Sequence, residues 1–546
     1  MRKSETMKNA FWQLLVVYTA LVVLISFSLV WKYTLHFELF AVVLAVLGAL
    51  GLYHVQGEEE VVIPRRAKYL LLALGILLIV WFRVIPYMGN DIPLGYDAGI
   101  YKYGIENFAA KGFGSDGWVK SALTPGFLYL MYGLVKVGIS SDVLLTLGFI
   151  CFSVLLGAAI YLFAREYVGD KAAVIAVLLY AVSGIQFKLF SYLYYKNVIA
   201  LSTLLFALYF YKRSRASVSR SAYLLTLKSG SHENRSQPKG GDWNGILFIV
   251  CGVLTGLMHR PTFFLFGVAY ISLTVQDWKN FTRNFVDGTA ILVLTLLLYA
   301  GFWESSILPL FVPVTQGFVE PGTAPGTFVS FFVYQFSTLY YLPFAILGFI
   351  HRFWQKKYDM LFFMTLIAGA IVYFQFFFFN RFVAHLDIFL IVLAGSGFSL
   401  LIDNRKKLGA GILVLMLLSA GYVSFKEAVS AEPLITEEGL QLIKMIDSNT
   451  SSDAKVIAIS SEYSPWILAY SGRETIAPGL FDANSWSEQE WELFWSTGSK
   501  DETMRLMSIY PGEVYLFEGT KSFNNPCFSE FLSNGGNKLL RYECGN

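Results

Sequence analysis

Long apolar stretches alternate with short polar ones along most of the chain, and this alternation ends near residue 425. Each apolar stretch has about the length that an α-helix needs to cross roughly 30 Å of hydrocarbon. None shows the period-two alternation of a membrane strand. The stretches that we assign as spans cover residues 11–31, 37–55, 68–84, 143–163, 171–187, 196–211, 244–258, 261–275, 286–304, 326–350, 358–378, 383–402 and 408–425. The pattern predicts a polytopic α-helical membrane protein with about thirteen transmembrane helices.

Composition supports this class and excludes a soluble globular chain. Apolar residues make up 55% of the 546 residues, aromatic residues make up 17%, and the mean hydropathy is +0.54. The first span is followed by another apolar run without a small-residue cleavage site, so we interpret it as a retained helix and not a signal peptide. The bilayer is therefore the first partner that we expect, and nothing in the sequence indicates nucleic-acid binding.

Lysine and arginine are concentrated in every second loop, as is typical of loops that stay in the cytoplasm. The most basic loop, 212–243, contains GSHENRSQPKGG, and we interpret it as flexible and cytoplasmic. The same alternation predicts a cytoplasmic N-terminus, whereas the large loop 85–142, the Pro/Gly-rich loop 305–325 and the C-terminal region lie outside. The location that we expect is the plasma membrane.

The region after residue 425 is polar and acidic. Its periodicity predicts a helix at EEGLQLIKMIDSN, a strand at KVIAIS, a helix at SPWILAYSG and a strand at EVYLFEG. We therefore divide the chain into a transmembrane domain, 1–425, and a small extracytoplasmic α/β domain, 426–546. An oxidising exterior would permit a disulfide between Cys527 and Cys544, but two cysteines alone leave this pairing open.

One acid in the external loop 85–142 stands in an unusually open setting. Asp97 lies in Gly-Tyr-Asp-Ala-Gly-Ile-Tyr, where small neighbours leave room for a ligand. Tyr101 follows about one helical turn later and would lie on the same side of a helix. Asp91 precedes it in the same loop. An isolated loop aspartate is more often a helix cap than a catalytic group, so this pattern alone assigns no function.

Cationic side chains recur at the outer ends of several spans, where charges are costly and usually face a partner, a cavity or the headgroups. These are Lys196 in LYYKNV, Arg260 in MHRPTF and Arg381 in FNRFVAHLD, with His259 and His385 beside the two arginines. For each cation alone, snorkelling to lipid headgroups is as good an explanation as a ligand role. Three of them on the side of Asp97 favour a phosphate site.

These motifs resemble the GT-C class of integral-membrane glycosyltransferases, especially its protein mannosyltransferase and aminoarabinose transferase (GT39-like) branch. Asp97-Ala98-Gly99-Ile100-Tyr101 is similar to the family's DExxY-like external motif, with alanine where the family often has glutamate. SALTPGFLYLMYGLVKVGISSD resembles its Pro-containing interfacial helix, HRPTF its Lys/Arg-Pro segment, and NRFVAHLDIFLIVLAG its late external arginine. The Trp-Trp-Asp signature of oligosaccharyltransferase catalytic subunits is missing.

The resemblance implies hexosyl or pentosyl transfer from a polyprenyl-phosphate-linked sugar to a hydroxyl of a protein, glycan or lipid acceptor outside the membrane. Asp97 would be the catalytic base, and Arg260, Arg381 and Lys196 would hold the donor phosphate. Asp91, Tyr101, His259 and His385 would complete the substrate site. No motif indicates a metal ligand set, so a divalent ion has no support in the sequence.

Two other functions remain open on the sequence. A transporter or flippase for an anionic lipid or solute would also need many spans and cations within the membrane. A noncatalytic receptor or assembly scaffold would use the external domain to bind a partner. The carboxylate-bearing loop 85–142 favours the enzyme over both.

Overall fold

A computed structural model of the chain describes residues 61–228, 243–307, 329–376, 379–478 and 483–544. The predicted spans 11–31 and 37–55 and nearly all of the loop 305–325 lie outside these described residues. The helices up to residue 429 are α1 (Arg65–Val84), α2 (Ala98–Lys111), α3 (Gly117–Ala122), α4 (Pro125–Lys136), α5 (Phe149–Val168), α6 (Asp170–Ala181), α7 (Gly184–Ser191), α8 (Tyr195–Lys228), α9 (Trp243–Met258), α10 (Arg260–Gln276), α11 (Phe281–Leu298), α12 (Phe331–Thr338), α13 (Leu342–Trp354), α14 (Met360–Tyr373), α15 (Phe379–Asn404) and α16 (Lys406–Val429). Each predicted span within the described residues coincides with one or two of these helices.

Membrane-spanning character is clear for several of them. Among the described residues, five helical stretches are long and apolar enough to cross a membrane by length and composition: Arg65–Tyr87, Ser141–Val168, Trp278–Leu298, Phe379–Asn404 and Lys406–Val429. Two bent helix pairs raise this number to seven if each pair is one span. The chain is therefore an integral membrane protein, while the total of thirteen spans stays a prediction.

Both bent pairs correct an expectation of continuous spans. The predicted span 171–187 is broken between α6 and α7, which meet at 50°, and 326–350 is broken between α12 and α13, which meet at 76°. Ser183 caps α7 by accepting a hydrogen bond from the backbone N–H of Gln186. Pro343 lies in the first turn of α13, where a proline ring is tolerated because no intrahelical N–H bond is lost. A capping serine and a proline in the first helical turn thus begin new helices within two continuous apolar runs.

The prediction of a flexible loop at 212–243 is wrong for its first half, because α8 continues to Lys228. This stretch contains no glycine or proline before Gly230, and lysine, arginine, leucine and alanine are good helix formers. A helix that leaves the bilayer can therefore continue into a basic segment. Residues 229–242 lie outside the described residues.

The C-terminal region folds around one mixed sheet. Its elements are α17 (Glu437–Asn449), β1 (Lys455–Ala458), α18 (Ser464–Tyr470), β2 (Glu474–Ile476), α19 (Glu488–Ser496), α20 (Lys500–Met507), β3 (Val514–Gly519), β4 (Phe528–Asn534) and β5 (Asn537–Tyr542). The strand order is β2-β1-β3-β5-β4, with β2 and β3 parallel to β1 and the last two pairings antiparallel. The two helices and two strands expected from periodicity are present, and Cys527 and Cys544 form a disulfide. The division at residue 425 stays a prediction.

Candidate active site

The loop that carries Asp97 is pressed against the turn that precedes Lys196. Gly95 has a φ of +82°, and a Cβ there would lie 2.8 Å from the carbonyl carbon of Tyr192. Only glycine combines this backbone conformation with such a close approach. The contact brings the start of α2, where Asp97 is the N-cap residue, beside the start of α8, where Lys196 lies in the first turn.

Asp97 is partly buried, and its carboxylate accepts no hydrogen bond from any residue that the structure describes. Its electrostatic partners are Lys196 and Arg381. Burial raises the pKa of Asp97 above its ordinary value, and the two cations offset part of that rise. The carboxylate therefore lies near positive charge, and its oxygens remain available to accept a hydrogen bond from a substrate.

Two cations bind neighbouring carbonyl groups at the end of α3, just before α4. The Lys196 ammonium donates to the carbonyl oxygen of Ala122 at 2.7 Å, and the Arg260 guanidinium donates to that of Ser121, also at 2.7 Å. Lys196 also lies 5.7 Å from the centre of the Tyr101 ring. The segment is itself fixed, because the Thr124 hydroxyl donates to the Met258 carbonyl at 2.7 Å, at the end of α9.

The two histidines join the helices that carry the two arginines. Thr262 lies between them, with its hydroxyl 2.8 Å from His259 Nδ1 and 2.7 Å from His385 Nε2. His385 Nδ1 lies 3.2 Å from the carbonyl oxygen of Arg381, one turn earlier on α15. His259 and His385 are both buried, so they tie α10 to α15 and do not face open solvent.

Most of the predicted site residues are thus brought together at the starts of α8, α10 and α15. Electrostatic interactions connect Asp97 with Lys196 and Arg381, and Arg260 with Lys196 and Arg381. One carboxylate beside three cations gives the site a positive balance that favours a bound anion.

Asp91 is the exception. Its side chain is exposed, and no contact among the described residues joins it to Asp97 or to the cations. Tyr101 is buried between the rings of Phe127 and Tyr195, whose centroids lie 5.2 and 6.1 Å away. The ring is therefore fixed in its contact with Lys196.

The sequence analysis missed two residues that hold this arrangement. Thr262 bridges the histidines, and Tyr299, directly after α11, interacts electrostatically with Arg260. A threonine or tyrosine in an apolar helix has no pattern that marks it as functional. The only usable signal was that Thr262 follows His259 by about one helical turn, which allows the two side chains to meet. Within the described residues, no group of three or more His, Cys, Asp or Glu side chains is placed to hold a metal ion.

No protein-family model matches the sequence, and no curated protein matches it either. Solved structures do match the fold. The apo oligosaccharyltransferase of Archaeoglobus fulgidus has a TM-score of 0.61 at 14% identity, covering 84% of this chain and 70% of that one. Apo ArnT of Cupriavidus metallidurans has a TM-score of 0.55 at 11% identity, covering 87% and 98%. The arabinofuranosyltransferase AftD from Mycobacteria has a TM-score of 0.51 at 11% identity, covering 89% and 42%.

All three are GT-C glycosyltransferases. The chain has the GT-C fold. The class indicated by the Asp97 and HRPTF motifs is thereby confirmed at the level of the fold. The archaeal enzyme is also matched in complex with an inhibitory peptide and a dolichol-phosphate, at a TM-score of 0.52, and ArnT bound to undecaprenyl phosphate, at 0.51.

Proposed function

We propose that this protein is a membrane glycosyltransferase that moves a sugar from a polyprenyl-phosphate-linked donor to an acceptor hydroxyl on the outer face of the plasma membrane. The observation that carries this proposal is the Asp97 carboxylate, which accepts no hydrogen bond from the described residues and interacts with Lys196 and Arg381, themselves beside Arg260. A base and an anion site in one place are what transfer from a phosphate leaving group needs.

The cations supply the leaving-group site. Arginine presents a planar fork of N–H donors that matches phosphate, and a lysine adds a compact positive charge. Arg260 and Arg381 lie at the starts of their helices, where backbone N–H groups and the helix dipole also favour an anion. The two matched GT-C structures with bound lipid contain dolichol-phosphate and undecaprenyl phosphate, which supports a lipid-linked donor for this chain.

Asp97 acts as the base in a single displacement. The acceptor hydroxyl oxygen attacks the anomeric carbon as its proton moves to the Asp97 carboxylate. The bond from the anomeric carbon to the phosphate oxygen breaks on the opposite side, and the polyprenyl phosphate leaves with its charge held by the cations. One carboxylate suffices because the phosphate needs no proton to leave, and the anomeric configuration is inverted, unlike the two-step route of retaining glycosidases.

The other predicted residues take supporting roles in this proposal. Tyr101 holds Lys196, and the pair His259 and His385 fixes the distance between the two arginine-bearing helices through Thr262. Asp91 is exposed, and in this proposal it contacts the acceptor. The acceptor is a protein, glycan or lipid hydroxyl, and the sugar is a hexose or a pentose.

In this proposal the chemistry takes place outside the cell. With the N-terminus in the cytoplasm, α1 delivers Asp97 to the outer side and α16 delivers the C-terminal region to the same side. The disulfide between Cys527 and Cys544 supports this orientation, because such bonds persist in oxidising compartments.

A transporter or flippase is the second candidate, and the two broken spans favour it, because discontinuous helices often form substrate sites in transporters. Transport of a lipid needs no base, however, and gives no role to Asp97.

One assay separates these candidates. Purified protein is incubated with synthetic undecaprenyl-phosphate hexoses and pentoses and with a membrane extract as the acceptor source. We expect release of undecaprenyl phosphate and covalent transfer of the sugar, both lost in Asp97→Asn. Movement of the labelled donor across vesicles without sugar transfer would instead establish the transporter.

A further inference from the structure

The helix that begins at Asp97 is docked directly on the external α/β region. Gly99 lies in the first turn of α2, and a Cβ at this position would overlap the carbonyl oxygen of Pro465, in the first turn of α18. The overlap is with backbone, which cannot rotate away as a flexible side chain can. The two helices therefore meet in backbone contact two residues after the candidate base.

A second contact fixes the other end of α18. The Tyr470 hydroxyl donates to Asp142 Oδ1 at 2.6 Å, in the segment that leads into α5. The Lys102 ammonium on α2 lies 4.7 Å from the centre of the Tyr470 ring and donates to Asp142 Oδ2 at 3.1 Å. It also donates to Glu106 at 2.7 Å, so Lys102 ties α2, α18 and the start of α5 together.

The docking helix is itself held rigidly by the sheet. Gly519 ends β3 with a φ of +59°, and a Cβ there would lie 2.6 Å from the Tyr463 ring, which also packs 5.2 Å from the centre of the Phe517 ring. Trp466 is fully buried. Helix α18 is thus anchored at the edge where the parallel strands β1 and β3 end, and it acts as a fixed surface for α2.

We propose that the C-terminal region positions the catalytic base: α18, through Pro465 and Tyr470, sets the place of α2 and thereby the distance from Asp97 to the bound donor. Gly99 and Tyr470 are positioning residues, whereas Asp97 is the group that reacts. This inference rests on the proposed function of Asp97 as the base.

The physical reason is the sensitivity of transfer to geometry. Asp97 receives no hydrogen bond from the described residues, so its position depends on the backbone that carries it. That backbone is held on one side by Gly95 against the turn before Lys196, and on the other by Gly99 against α18. A misplacement of about 1 Å at a reacting group costs roughly 100-fold in rate.

A glycine pair tests this directly. Gly99→Ala forces α2 away from Pro465, whereas Gly133→Ala, in α4 of the same external loop, introduces a Cβ with nothing within 4 Å. We expect Gly99→Ala to lower kcat about 10- to 100-fold. Gly133→Ala leaves kcat within about twofold. Binding of undecaprenyl phosphate stays within about twofold in both variants, because Arg260 and Arg381 lie on other helices and Lys196 keeps its hydrogen bond to the Ala122 carbonyl.

Tyr470 provides an independent variant in case Gly99→Ala does not fold. Tyr470→Phe keeps the ring on Lys102 and loses only the hydrogen bond to Asp142, while Tyr470→Ala loses both contacts. We expect kcat to fall in Tyr470→Ala, with partial rescue in Tyr470→Phe and unchanged affinity for undecaprenyl phosphate. An equal loss of kcat and of lipid affinity in Tyr470→Ala would show a general structural defect and overturn the proposal.

The Asp97→Asn background separates this inference from the function on which it rests. If α18 acts through Asp97, Gly99→Ala or Tyr470→Ala adds less than about a twofold loss to Asp97→Asn, because coupled residues are not additive. Fully additive losses would overturn the positioning role while Asp97 remained the base. Full activity in Asp97→Asn itself would instead remove the proposed function.

Discussion

Two aspartates of this protein have opposite surroundings. Asp387, on α15, is fully buried, and its carboxylate accepts hydrogen bonds from the Tyr341 hydroxyl, from Gln186 at 2.7 Å and from Ser183 at 3.1 Å. Asp97 is only partly buried, accepts no hydrogen bond from the described residues, and has cations as its electrostatic partners.

The contrast separates a structural carboxylate from a reactive one. A buried acid with both oxygens satisfied stabilises the contact between α7, α13 and α15, and its lone pairs are not available to a substrate. An acid with free acceptor capacity beside cations is placed to take a proton from a hydroxyl that reacts next to a bound anion. The same residue type thus serves packing in one place and chemistry in the other.

The largest expected effect comes from removing the charge of Asp97. Asp97→Asn keeps the shape of the side chain and abolishes the base, so transfer should fall about 100- to 10,000-fold. The measurement is the single-turnover rate of undecaprenyl phosphate release from the best donor. The thermal midpoint in detergent serves as the folding control and should not fall, because no described hydrogen bond is lost. Retained transfer by a folded variant would show that Asp97 is not the base and would contradict its distinction from Asp387.

The cations around Asp97 provide the next effect. Arg260→Gln or Arg381→Gln should weaken undecaprenyl phosphate binding about 10- to 100-fold, since a hydrogen bond to a charged group contributes about 1.5–3 kcal/mol. The matched control is Lys188→Gln, which removes a cation of α7 that pairs with Glu427 at 3.0 Å and not with Asp97. Native mass spectrometry of the lipid complex measures the affinity of each variant for undecaprenyl phosphate. Equal losses in all three variants would indicate headgroup attraction and not a defined phosphate site.

The same substitution at the other aspartate should act on stability. Asp387→Asn replaces one acceptor oxygen by an NH2 group, so either Tyr341 or the pair Gln186 and Ser183 loses its acceptor, and the free energy of unfolding should fall by about 1–3 kcal/mol. Thermal unfolding in detergent tests the loss, and the transfer rate of the folded sample should stay within about threefold. Inactivity at an unchanged thermal midpoint would assign Asp387 a role in the reaction.

The smallest expected effect is a displacement of the pH profile. Transfer needs ionised Asp97, so the rate falls as the pH falls through the pKa of this group, which burial raises above its ordinary value. Lys196 opposes that rise, so Lys196→Met should raise the pKa of Asp97 further and move the acid limb to higher pH. The pH dependence of kcat for both proteins measures this. An acid limb that moves to lower pH would contradict the electrostatic contact.

Much of the fold was predictable because membrane spans follow from apolar length alone. The runs at 68–84 and 383–402 coincide with α1 and α15, and the positions of Lys196, Arg260 and Arg381 at helix starts follow from the ends of their runs. The break at Ser183 was missed because a capping serine inside an apolar run changes its hydropathy little. The continuation of α8 was missed because polar helix formers resemble a basic loop.

The site was predictable in its charged residues and not in its supports. Charged residues such as Asp97 and the three cations are uncommon within the apolar part of a chain and can be singled out there. Threonine and glycine are common in such sequences, and Thr262 and Gly99 gain their importance only from tertiary contacts. Asp91 shares a loop with Asp97, but its side chain is exposed and has no contact with Asp97 among the described residues.

The most direct test of the central claim is an electron cryo-microscopy map of the protein with undecaprenyl phosphate bound. Our account predicts phosphate oxygens within about 3 Å of the side-chain nitrogens of at least two of Lys196, Arg260 and Arg381, with Asp97 facing the phosphate across the space for the sugar. A phosphate bound instead beside Lys188 and Glu427, away from Asp97, would contradict it.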